Sequence, residues 1–375
     1  MKILINASNL KAGGGLQVAD SVCRMLDRFP QHEFSVVLSS SLSGTYAAIK
    51  DAPNVTAYLY DVKHNALALL LGRDRFLDNL VKEAGIESVL SFFGPSVWIP
   101  RVPHLCGFAR VQMVIKESPF YTRMKTPELW KQRLRYCIRA KAFKKCSQSF
   151  YTENPYISER LGKMWGGKKV YTVSNYYNQV FDNEEQWQEK ALPSIEGVTL
   201  LTIATPYAHK NLPIAADVAR ILRQDHPEFR FRFVMSVEPR ELGADIGGIE
   251  DCFVFVGRVD IAECPSLYKQ SDIVFQPTLL ECFTAAYPEA MRMGKPIVTT
   301  DLEFARGLCG EAAAYYSAVD ARSCAETIYR VATDAGLRMR LVEKGKEQLK
   351  GFDNYAQRAE KLIALAERIA LEKKQ

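Results

Sequence analysis

The chain has 375 residues, of which 47% are apolar and 25% charged, and it carries a formal net charge of +6. This length suggests about two domains, and the composition argues against a disordered or fibrous protein. We expect no transmembrane helix, because the longest apolar run, ALALLLG at 66–72, is far below the roughly 18 residues required. The N-terminus shows no signal-peptide layout, so we expect no secretory leader.

Cysteine spacing and charge distribution bound the protein further. The nine cysteines are scattered singly, with no C-x-x-C pair and no histidine at zinc spacing. This pattern predicts reduced, mostly buried thiols in a cytoplasmic protein. Residues 1–180 carry 25 Lys and Arg against 13 Asp and Glu, whereas residues 181–375 carry 24 against 30. The asymmetry predicts two halves with different roles, and the basic excess is concentrated between Arg123 and Lys169.

Strand-like and helix-like runs alternate through the first half of the chain. The apolar runs predict strands at 2–8, 34–40, 56–60, 88–93, 104–109, 147–152 and 169–174. Helical periodicity predicts helices at 16–29, 43–50, 74–85 and 126–145, and Gly13-Gly14-Gly15 predicts a turn. The polar and acidic stretch at 176–197 then marks a domain boundary.

The same alternation restarts in the second half. Strands are predicted at 198–205, 231–237, 252–258, 273–277 and 296–300, and helices at 212–224, 264–271, 303–309, 321–334, 336–349 and 354–374. Such alternation predicts parallel sheets covered by helices on both faces. The expected fold class is therefore α/β, with two doubly wound Rossmann-like domains at 1–180 and 181–353 facing across a cleft. Residues 354–375 are expected to form a helix that packs back toward the N-terminal domain.

Two loops between a strand and a helix are candidate ligand sites. The Gly13–Gly15 turn can present backbone N–H groups to a phosphate, although the G-x-G-x-x-G spacing is absent; a plain tight turn is the alternative. His209-Lys210-Asn211 occupies the equivalent position in the second half, where a lysine can meet a diphosphate. A solvated loop lysine is the alternative there.

Glu281 and Glu289 lie in the core-like stretch PTLLECFTAAYPEAMRMGKPIVTT at 277–300. An unpaired buried charge is costly, so both carboxylates need a partner. Glu281 follows a predicted strand, at the end where open α/β sheets bind ligands, and Glu289 lies two helical turns further on. Carboxylates accept the paired hydroxyl groups of ribose and sugars. Two structural salt bridges are the alternative.

These stretches resemble retaining glycosyltransferases of the GT-B fold, specifically glycosyltransferase family 4. PTLLECFTAAYPEAMRMGKPIVTTD resembles the E-x₇-E region of that family, and TIATPYAHKNL resembles its strand–loop–Lys-Asn motif. FVFVGRVDIAECPSLYKQSDIVFQPT resembles the linking segment, and TVSNYYNQVF the domain-junction motif. The resemblance is strong over about 198–345. It is weaker over 1–180, where mainly the glycine turn and the SFFGPS loop fit.

The resemblance implies a role for each matching residue. Glu281 would contact hydroxyls of the transferred sugar, Glu289 would hold the nucleotide ribose, and Lys210 would neutralise the diphosphate leaving group. The remaining donor-side positions would be the amides of Phe283, Thr284 and Ala285 near the phosphate and sugar, Arg258 and Val259 near the base, and Gly14 and Gly15 facing the diphosphate. Lys210 and Glu281 are the predicted catalytic residues.

The chain departs from the family pattern at three places. Cys282-Phe283-Thr284 replaces the usual Gly-Phe-Gly after the first glutamate. The usual arginine ahead of the lysine is absent, and His209 would supply the second donor. The N-domain histidine near the reacting carbon is displaced to His104 at the start of its predicted strand. His104, Gly94 and Arg110 form the acceptor-side prediction, and an ordinary core or surface histidine is the alternative for His104.

The basic helix predicted at 126–145 interleaves seven Lys and Arg residues with Trp130, Leu134, Ile138 and Phe143. Such a helix can lie on an anionic membrane surface or bind a lipid diphosphate acceptor. A solvated helix with its apolar face turned inward is the alternative, and no nucleic-acid motif accompanies the helix.

The resemblance thus implies a hexosyltransferase that uses a nucleotide sugar, most simply UDP- or GDP-linked, as a substrate and needs no cofactor. Because no D-x-D pair is present to carry a metal, we expect it to be metal-independent. Its acceptor would be a saccharide or lipid-linked saccharide, and its place the cytoplasm or the inner face of the plasma membrane. Surface polysaccharide synthesis is expected by analogy. Two other functions remain open: a nucleotide-sugar 2-epimerase, and a non-catalytic sugar-binding protein of the same fold.

Overall fold

The structure is a computed structural model that describes residues 1–11, 13–62, 72–94, 98–194 and 196–374. Residues 66–71 of the apolar run, and Pro95 and Ser96 of the SFFGPS loop, lie outside the described residues. Tertiary contacts divide the chain into two compact units. The first comprises Met1–Lys116, Lys125–Asn175 and the chain from Asp353 onward, and the second comprises Glu117–Met124 and Tyr176–Phe352.

The first unit contains a seven-stranded parallel sheet in the order β3-β2-β1-β4-β5-β6-β7. Its strands are β1 Lys2–Ala7, β2 Glu33–Leu38, β3 Val55–Leu59, β4 Ser88–Ser91, β5 His104–Gly107, β6 Ser149–Thr152 and β7 Lys169–Thr172. Its helices are α1 Gly14–Cys23, α2 Ser43–Ile49, α3 Arg75–Glu83, α4 Thr126–Cys146, α5 Pro155–Met164 and α12 Tyr355–Lys374. The strands read as continuous apolar runs because a parallel sheet is covered on both faces.

The C-terminal helix α12 belongs to the first unit. Its residues Ala359, Leu362, Ile363, Ala366 and Ile369 are buried in the apolar core of that unit, beside β1 and α1. The Ser88 hydroxyl on β4 also donates a 2.7 Å hydrogen bond to the Ala366 carbonyl. The fold of the first unit therefore depends on a segment that lies beyond the second unit in the chain.

The second unit contains a six-stranded parallel sheet in the order β10-β9-β8-β11-β12-β13. Its strands are β8 Val198–Thr202, β9 Phe231–Met235, β10 Phe253–Phe255, β11 Ile273–Gln276, β12 Ile297–Thr300 and β13 Ala313–Tyr316. Its helices are α6 Ile214–Asp225, α7 Cys264–Lys269, α8 Ala286–Arg292, α9 Glu303–Cys309, α10 Ala321–Thr333 and α11 Ala335–Leu349. Side-chain caps start two of the helices, with Asp320 accepting from the first turn of α10 and Asp334 from that of α11.

The predicted fold class, two doubly wound α/β domains, is confirmed. Most element boundaries agree to within two or three residues, but the helix predicted at 16–29 differs. It runs from Gly14 to Cys23 and is followed by a short 3₁₀ turn at Leu26–Arg28. Phe29 leaves the helical conformation directly before Pro30, whose ring disfavours a helical residue ahead of it.

Two further expectations concern the surface and the thiols. In the described part of the chain, no helix has both the length and the apolar character needed to cross a bilayer. None of the nine cysteines, all of which are described, forms a disulfide. Eight of them are buried, as predicted, and Cys137 on α4 is exposed.

Candidate functional site

The candidate site of the second unit lies at a topological switch point. Strands β8 and β11 are neighbours in the sheet, but the chain leaves β8 toward β9 and β10 before it returns to β11. The loops that follow the two strands therefore diverge to opposite sides and leave a crevice at the carboxyl edge of the sheet. His209 and Lys210 follow β8, and Glu281 follows β11.

Backbone hydrogen bonds join these two loops. The His209 carbonyl accepts from the Leu279 N–H at 2.8 Å, and the Thr278 hydroxyl oxygen lies 3.3 Å from the same carbonyl oxygen. Lys210 ends a short 3₁₀ turn, and the next residue, Asn211, is buried in the left-handed conformation with φ 55°. Asparagine tolerates this conformation better than most residues, which explains why an Asn follows the lysine.

Lys210 and Glu281 form an ion pair in the crevice. The Lys210 Nζ lies 2.5 Å from the Glu281 Oε1, and the Thr278 hydroxyl donates to the same oxygen at 3.0 Å. The side chains are 14% and 11% exposed, so both charges are largely removed from water. Removing either partner would leave an uncompensated charge, which is strongly unfavourable. The two predicted catalytic residues are therefore in direct contact, and their catalytic roles stay predictions.

His209 lies beside this pair as a neutral group. Burial lowers the pKa of its imidazole below the ordinary 6.5, and nearby Lys210 acts in the same direction while Glu281 opposes it. Its Nε2 is 3.7 Å from the Glu281 Oε1, and its ring stacks on Tyr207 with centroids 5.6 Å apart. A neutral imidazole can still donate one N–H hydrogen bond to a ligand.

Glu289 lies in the first turn of α8, where Pro288 is tolerated because the first-turn N–H groups need no intrahelical partner. Its carboxylate Oε2 accepts a 2.8 Å hydrogen bond from the Tyr268 hydroxyl on α7. Burial raises the pKa of Glu289 from 4.5 to about 7, and the Tyr268 hydrogen bond only partly offsets this. Among the described residues its side-chain partner is thus Tyr268, not Lys210 or Glu281.

The other predicted donor-side residues surround the ends of these strands. Thr284 is buried, and Ala285 directly precedes α8. Phe283 packs edge-on against Phe352 with ring centroids 5.9 Å apart. Arg258 and Val259 follow β10, two strands away from β8, where Arg258 is exposed and Val259 is half-buried.

The first unit has a switch point of its own between β1 and β4. The glycine turn follows β1, with Gly13 at φ 82°, a conformation that favours glycine. A Cβ on Gly14 would meet nothing within 4 Å, whereas one on Gly15 would lie 3.3 Å from the Phe93 ring. Gly14 thus faces open space at the start of α1, whereas Gly15 lies close to the Phe93 ring.

The three residues predicted on the acceptor side, Gly94, His104 and Arg110, do not lie at the same edge of the sheet. Gly94 follows β4, where its N–H donates to the Gly107 carbonyl at 2.9 Å, and Arg110 is exposed beyond β5. His104 does not fit the acceptor-side prediction, because it starts β5 at the opposite edge of the sheet. Its Nδ1 is 2.8 Å from the Cys146 carbonyl and its Nε2 is 2.8 Å from the Ser91 hydroxyl. Burial lowers its pKa to about 4, so it is a neutral core histidine.

The sequence pattern did not predict that residues 117–124 contribute to this site. Residues 117–124 pack with the second unit although they precede α4. The Ser118 hydroxyl donates to the Leu279 carbonyl at 2.7 Å, and the Phe120 ring meets His209 edge-on at 6.3 Å. This segment therefore supports both loops of the crevice. Contacts across such sequence distances leave no local periodicity to read.

No group of three or more His, Cys, Asp or Glu side chains in the described ranges is arranged to hold a metal ion. The expectation of metal independence stays a prediction.

The family model that matches this protein covers part of the second unit, whereas the similar solved structures cover nearly the whole chain. Residues 197–334 match the family model described as Glycosyl transferases group 1. No curated protein matches the chain. The solved structures similar to it include sucrose-phosphate synthase from Thermosynechococcus elongatus, with a TM-score of 0.70 and 14% identity over 98% of both chains.

The fold is that of GT-B glycosyltransferases. WaaG, a glycosyltransferase involved in lipopolysaccharide biosynthesis, is similar with a TM-score of 0.62 and 14% identity, over 96% of this chain and 98% of that one. A putative UDP-N-acetylglucosamine 2-epimerase from Listeria monocytogenes is similar with a TM-score of 0.58 and 11% identity, over 97% and 95%. The structural similarity establishes the GT-B architecture. Because the sequence identities are this low, the chemistry has to be argued from the site residues.

Proposed function

We propose that the protein is a retaining glycosyltransferase of family 4, which moves a sugar from a nucleotide-sugar donor to a saccharide or lipid-linked saccharide acceptor. The observation that carries the proposal is the Lys210–Glu281 ion pair at the switch point of the second unit. It lies within residues 197–334, the segment that matches the glycosyl transferase model. A half-buried cation at that edge of an α/β sheet suits the diphosphate of a UDP- or GDP-linked sugar.

The ion pair suggests how the donor is bound. Without donor, Glu281 neutralises Lys210 across 2.5 Å. A donor diphosphate carries more negative charge than one carboxylate, so it can take over the lysine. Glu281 is then free to accept hydrogen bonds from hydroxyls of the sugar, and the N–H of neutral His209 is a second donor for the phosphate.

Catalysis in this scheme is stabilisation of the leaving group. As the bond to the sugar breaks, negative charge develops on the diphosphate, and Lys210 meets it in a site with little water. The carboxylate of Glu289 accepts the ribose hydroxyls, the amides at 283–285 approach the phosphate and sugar, and the backbone at Arg258 and Val259 meets the base. The glycine turn at Gly14 and Gly15 stays a predicted phosphate contact of the first unit.

Replacement of the lysine tests the proposal. Lys210→Ala should lower release of nucleoside diphosphate from UDP-glucose or GDP-mannose, with acceptor present, by about 100-fold or more. Thermal-shift screening with UDP, GDP and ADP identifies the base beforehand. Lys346→Ala, which removes an exposed lysine from α11, is the matched control and should turn over normally. Normal turnover by Lys210→Ala would refute the leaving-group role.

A 2-epimerase is the second candidate, because a putative enzyme of that kind shares the fold. An epimerase converts the sugar of the nucleotide donor without any acceptor. NMR of the sugar after incubation with donor alone separates the two functions. Product with an altered configuration at C2 would replace our proposal, and neither turnover nor slow donor hydrolysis would point to a non-catalytic sugar-binding protein.

The proposal also covers the pathway, the cellular location and the metal dependence of the enzyme. We place the enzyme in surface polysaccharide synthesis, at the cytoplasmic side, partly because similar WaaG is involved in lipopolysaccharide biosynthesis. Turnover should be metal-independent, so addition of EDTA should leave the rate unchanged. A rate that falls with EDTA and returns with Mg²⁺ or Mn²⁺ would refute this part alone.

A further inference from the structure

Helix α4 of the first unit carries an apolar stripe on its outer surface. The side chains of Trp130, Leu134 and Ile138 are 66%, 64% and 58% exposed. Their spacing of four residues places them on one face, with each step turning by about 40°. The opposite face holds Phe143 and Cys146, which are buried in the unit. The stripe therefore has no partner in the unit that carries it.

Cations surround this stripe. The helix contains one acidic residue, Glu128, and seven basic residues, which are Lys131, Arg133, Arg135, Arg139, Lys141, Lys144 and Lys145. Within the described part of the chain, none of the seven lies within ion-pair distance of a carboxylate. The end of helix α11 is different, since Lys346 pairs there with Glu343, and Lys350, the residue after the helix, pairs with Glu347.

This arrangement is not that of an ordinary solvated helix. In a solvated helix the apolar residues turn inward, and single exposed apolar side chains need no explanation. Here three large apolar side chains are adjacent, exposed and flanked by unpaired cations. An exposed apolar patch with a polar rim marks an interaction surface.

We infer that α4 lies flat on an anionic lipid bilayer, with Trp130, Leu134 and Ile138 inserted among the acyl chains and the cations on the headgroups. The chemistry of the face selects this partner. A nucleic acid would take the cations but offers no apolar layer for the stripe. An apolar protein groove would take the stripe but not the cations. A bilayer with anionic headgroups satisfies both at once, and tryptophan favours its interface.

The inference does not rest on the proposed enzymatic function, because vesicle binding needs neither donor nor acceptor. The full chain is sedimented with vesicles of phosphatidylcholine alone, or with 30% phosphatidylglycerol. Binding is expected to the anionic vesicles, weakening between 0.05 and 0.5 M NaCl because salt screens the cations. Equal binding to both vesicles, or none to the anionic ones, would overturn the inference.

Two variants separate the apolar and the basic contributions. Trp130→Ser/Leu134→Ser/Ile138→Ser should weaken binding at least about 100-fold, since each side chain loses its burial in lipid. Met339→Ser/Leu371→Ser is the matched control, because those side chains are also exposed, at 67% and 50%. The control should bind as the parent does, and equal losses in both variants would count against a specific helix.

The charge variant is Lys131→Gln/Arg135→Gln. Each cation near an anionic surface strengthens binding about five-fold, so the pair should cost about 25-fold. Lys346→Gln/Lys350→Gln, at the end of α11 and directly after it, removes the same charge elsewhere and should have little effect. Similar losses from the two charge variants would show general electrostatic attraction and overturn the role of α4.

Tryptophan fluorescence reports which residue enters the lipid. Of the four tryptophans, Trp98 and Trp165 are buried and Trp187 is half-buried, so Trp130 is the exposed one. Its emission should shift to shorter wavelength with anionic vesicles and be quenched by brominated acyl chains. Trp130→Phe should still bind but lose the shift, and a shift that persists would overturn the insertion.

The oligomeric state tests the other possible partner of the stripe, a second copy of the chain. If the parent is a dimer that does not bind vesicles, and the triple Ser variant is a monomer, α4 is instead an interface between copies.

Discussion

Glu289 gives the sharpest test of the donor site, because its charge depends on pH near neutrality. Its carboxyl is buried, and burial raises its pKa to about 7 against an ordinary 4.5. If the carboxylate binds ribose hydroxyls, the bound nucleotide stabilises the ionised form. Nucleotide binding then requires loss of a proton whenever the free protein is protonated, so affinity should fall as pH falls below 7.

The size of the effect follows from the two pKa values. At pH 5.5 a group with a pKa of about 7 is ionised in only about 3% of free molecules. If the nucleotide returns the pKa to the ordinary 4.5, UDP should bind about 30-fold more weakly at pH 5.5 than at pH 8.5. Glu289→Gln keeps the shape of the side chain but cannot titrate, so it should bind UDP more weakly at pH 8.5 and show no such loss on acidification.

Isothermal calorimetry at pH 5.5, 7.0 and 8.5 measures this directly. The terminal phosphate of UDP titrates near pH 6 as well, but it does so with both proteins, so the ratio of the two affinities isolates Glu289. Repeating the titration in buffers of different ionisation enthalpy counts the protons released. Equal pH dependence in parent and variant, or an unchanged affinity of Glu289→Gln at pH 8.5, would refute the ribose role.

The same shift has a consequence for stability that does not involve nucleotide. Because the folded-state pKa is raised, the folded protein binds more protons than the unfolded chain between pH 4.5 and about 7. The free energy of unfolding therefore falls as pH rises through this window, by about 3 kcal/mol. Burial also raises the pKa of Glu153 to about 7, so the variant should still lose stability in this window, but by about 3 kcal/mol less than the parent. Urea unfolding of parent and Glu289→Gln across this pH range measures the difference, and equal declines in the two proteins would contradict a raised pKa at Glu289.

Three further substitutions test local claims. Gly14→Ala should leave the melting temperature unchanged but lower donor turnover, because its Cβ would enter open space that we assign to the diphosphate; unchanged turnover would remove Gly14 from the site. Gly13→Ala should lower stability by about 1–2 kcal/mol, since alanine is strained at φ 82°, and an unchanged urea midpoint would contradict this. Asp353→Ala should cost about 2 kcal/mol in urea unfolding, because the carboxylate accepts from the Ser174 N–H and hydroxyl at 2.9 and 3.0 Å. A cost below about 0.5 kcal/mol would show that these bonds are exchanged for water without loss.

The positions of Lys210 and Glu281 could be predicted because they depend on strand ends. An apolar run fixes where a parallel strand stops, and the carboxyl ends of neighbouring strands share one edge of the sheet. Sequence alone did not reveal that Glu281 is held by Lys210 itself, nor that Tyr268 donates to Glu289. Those pairings depend on side-chain directions in loops and short helices, which have no periodic signal.

His104 shows where motif likeness fails. The sequence correctly placed His104 in a strand, but its role depends on which end of that strand it occupies. Because it starts β5, it lies at the amino edge, where the Ser91 hydroxyl and the Cys146 carbonyl occupy both ring nitrogens. A shift of four residues along the strand would have placed a histidine at the ligand-binding edge. Motif likeness could not make that distinction, whereas strand direction could.

Helix α4 could not be oriented from its sequence, because it has two apolar faces. Leu129, Tyr136 and Phe143 recur every seven residues on one side, and Trp130, Leu134 and Ile138 recur every four on another. Either face could have turned inward. Phe143 decides between them, because its ring packs against the rings of three aromatic residues, with centroids 5.2 to 5.8 Å apart; these are Phe108, Phe150 and Trp165. That cluster fixes the Phe143 face in the core, and the tryptophan stripe is left outside as a consequence.

Phe143→Ala should therefore destabilise the first unit by about 3–5 kcal/mol, whereas loss of the outer stripe should leave stability almost unchanged and remove only vesicle binding. Urea unfolding of the two variants separates these roles, and a large stability loss from the outer-stripe variant would show that the stripe is packed rather than free.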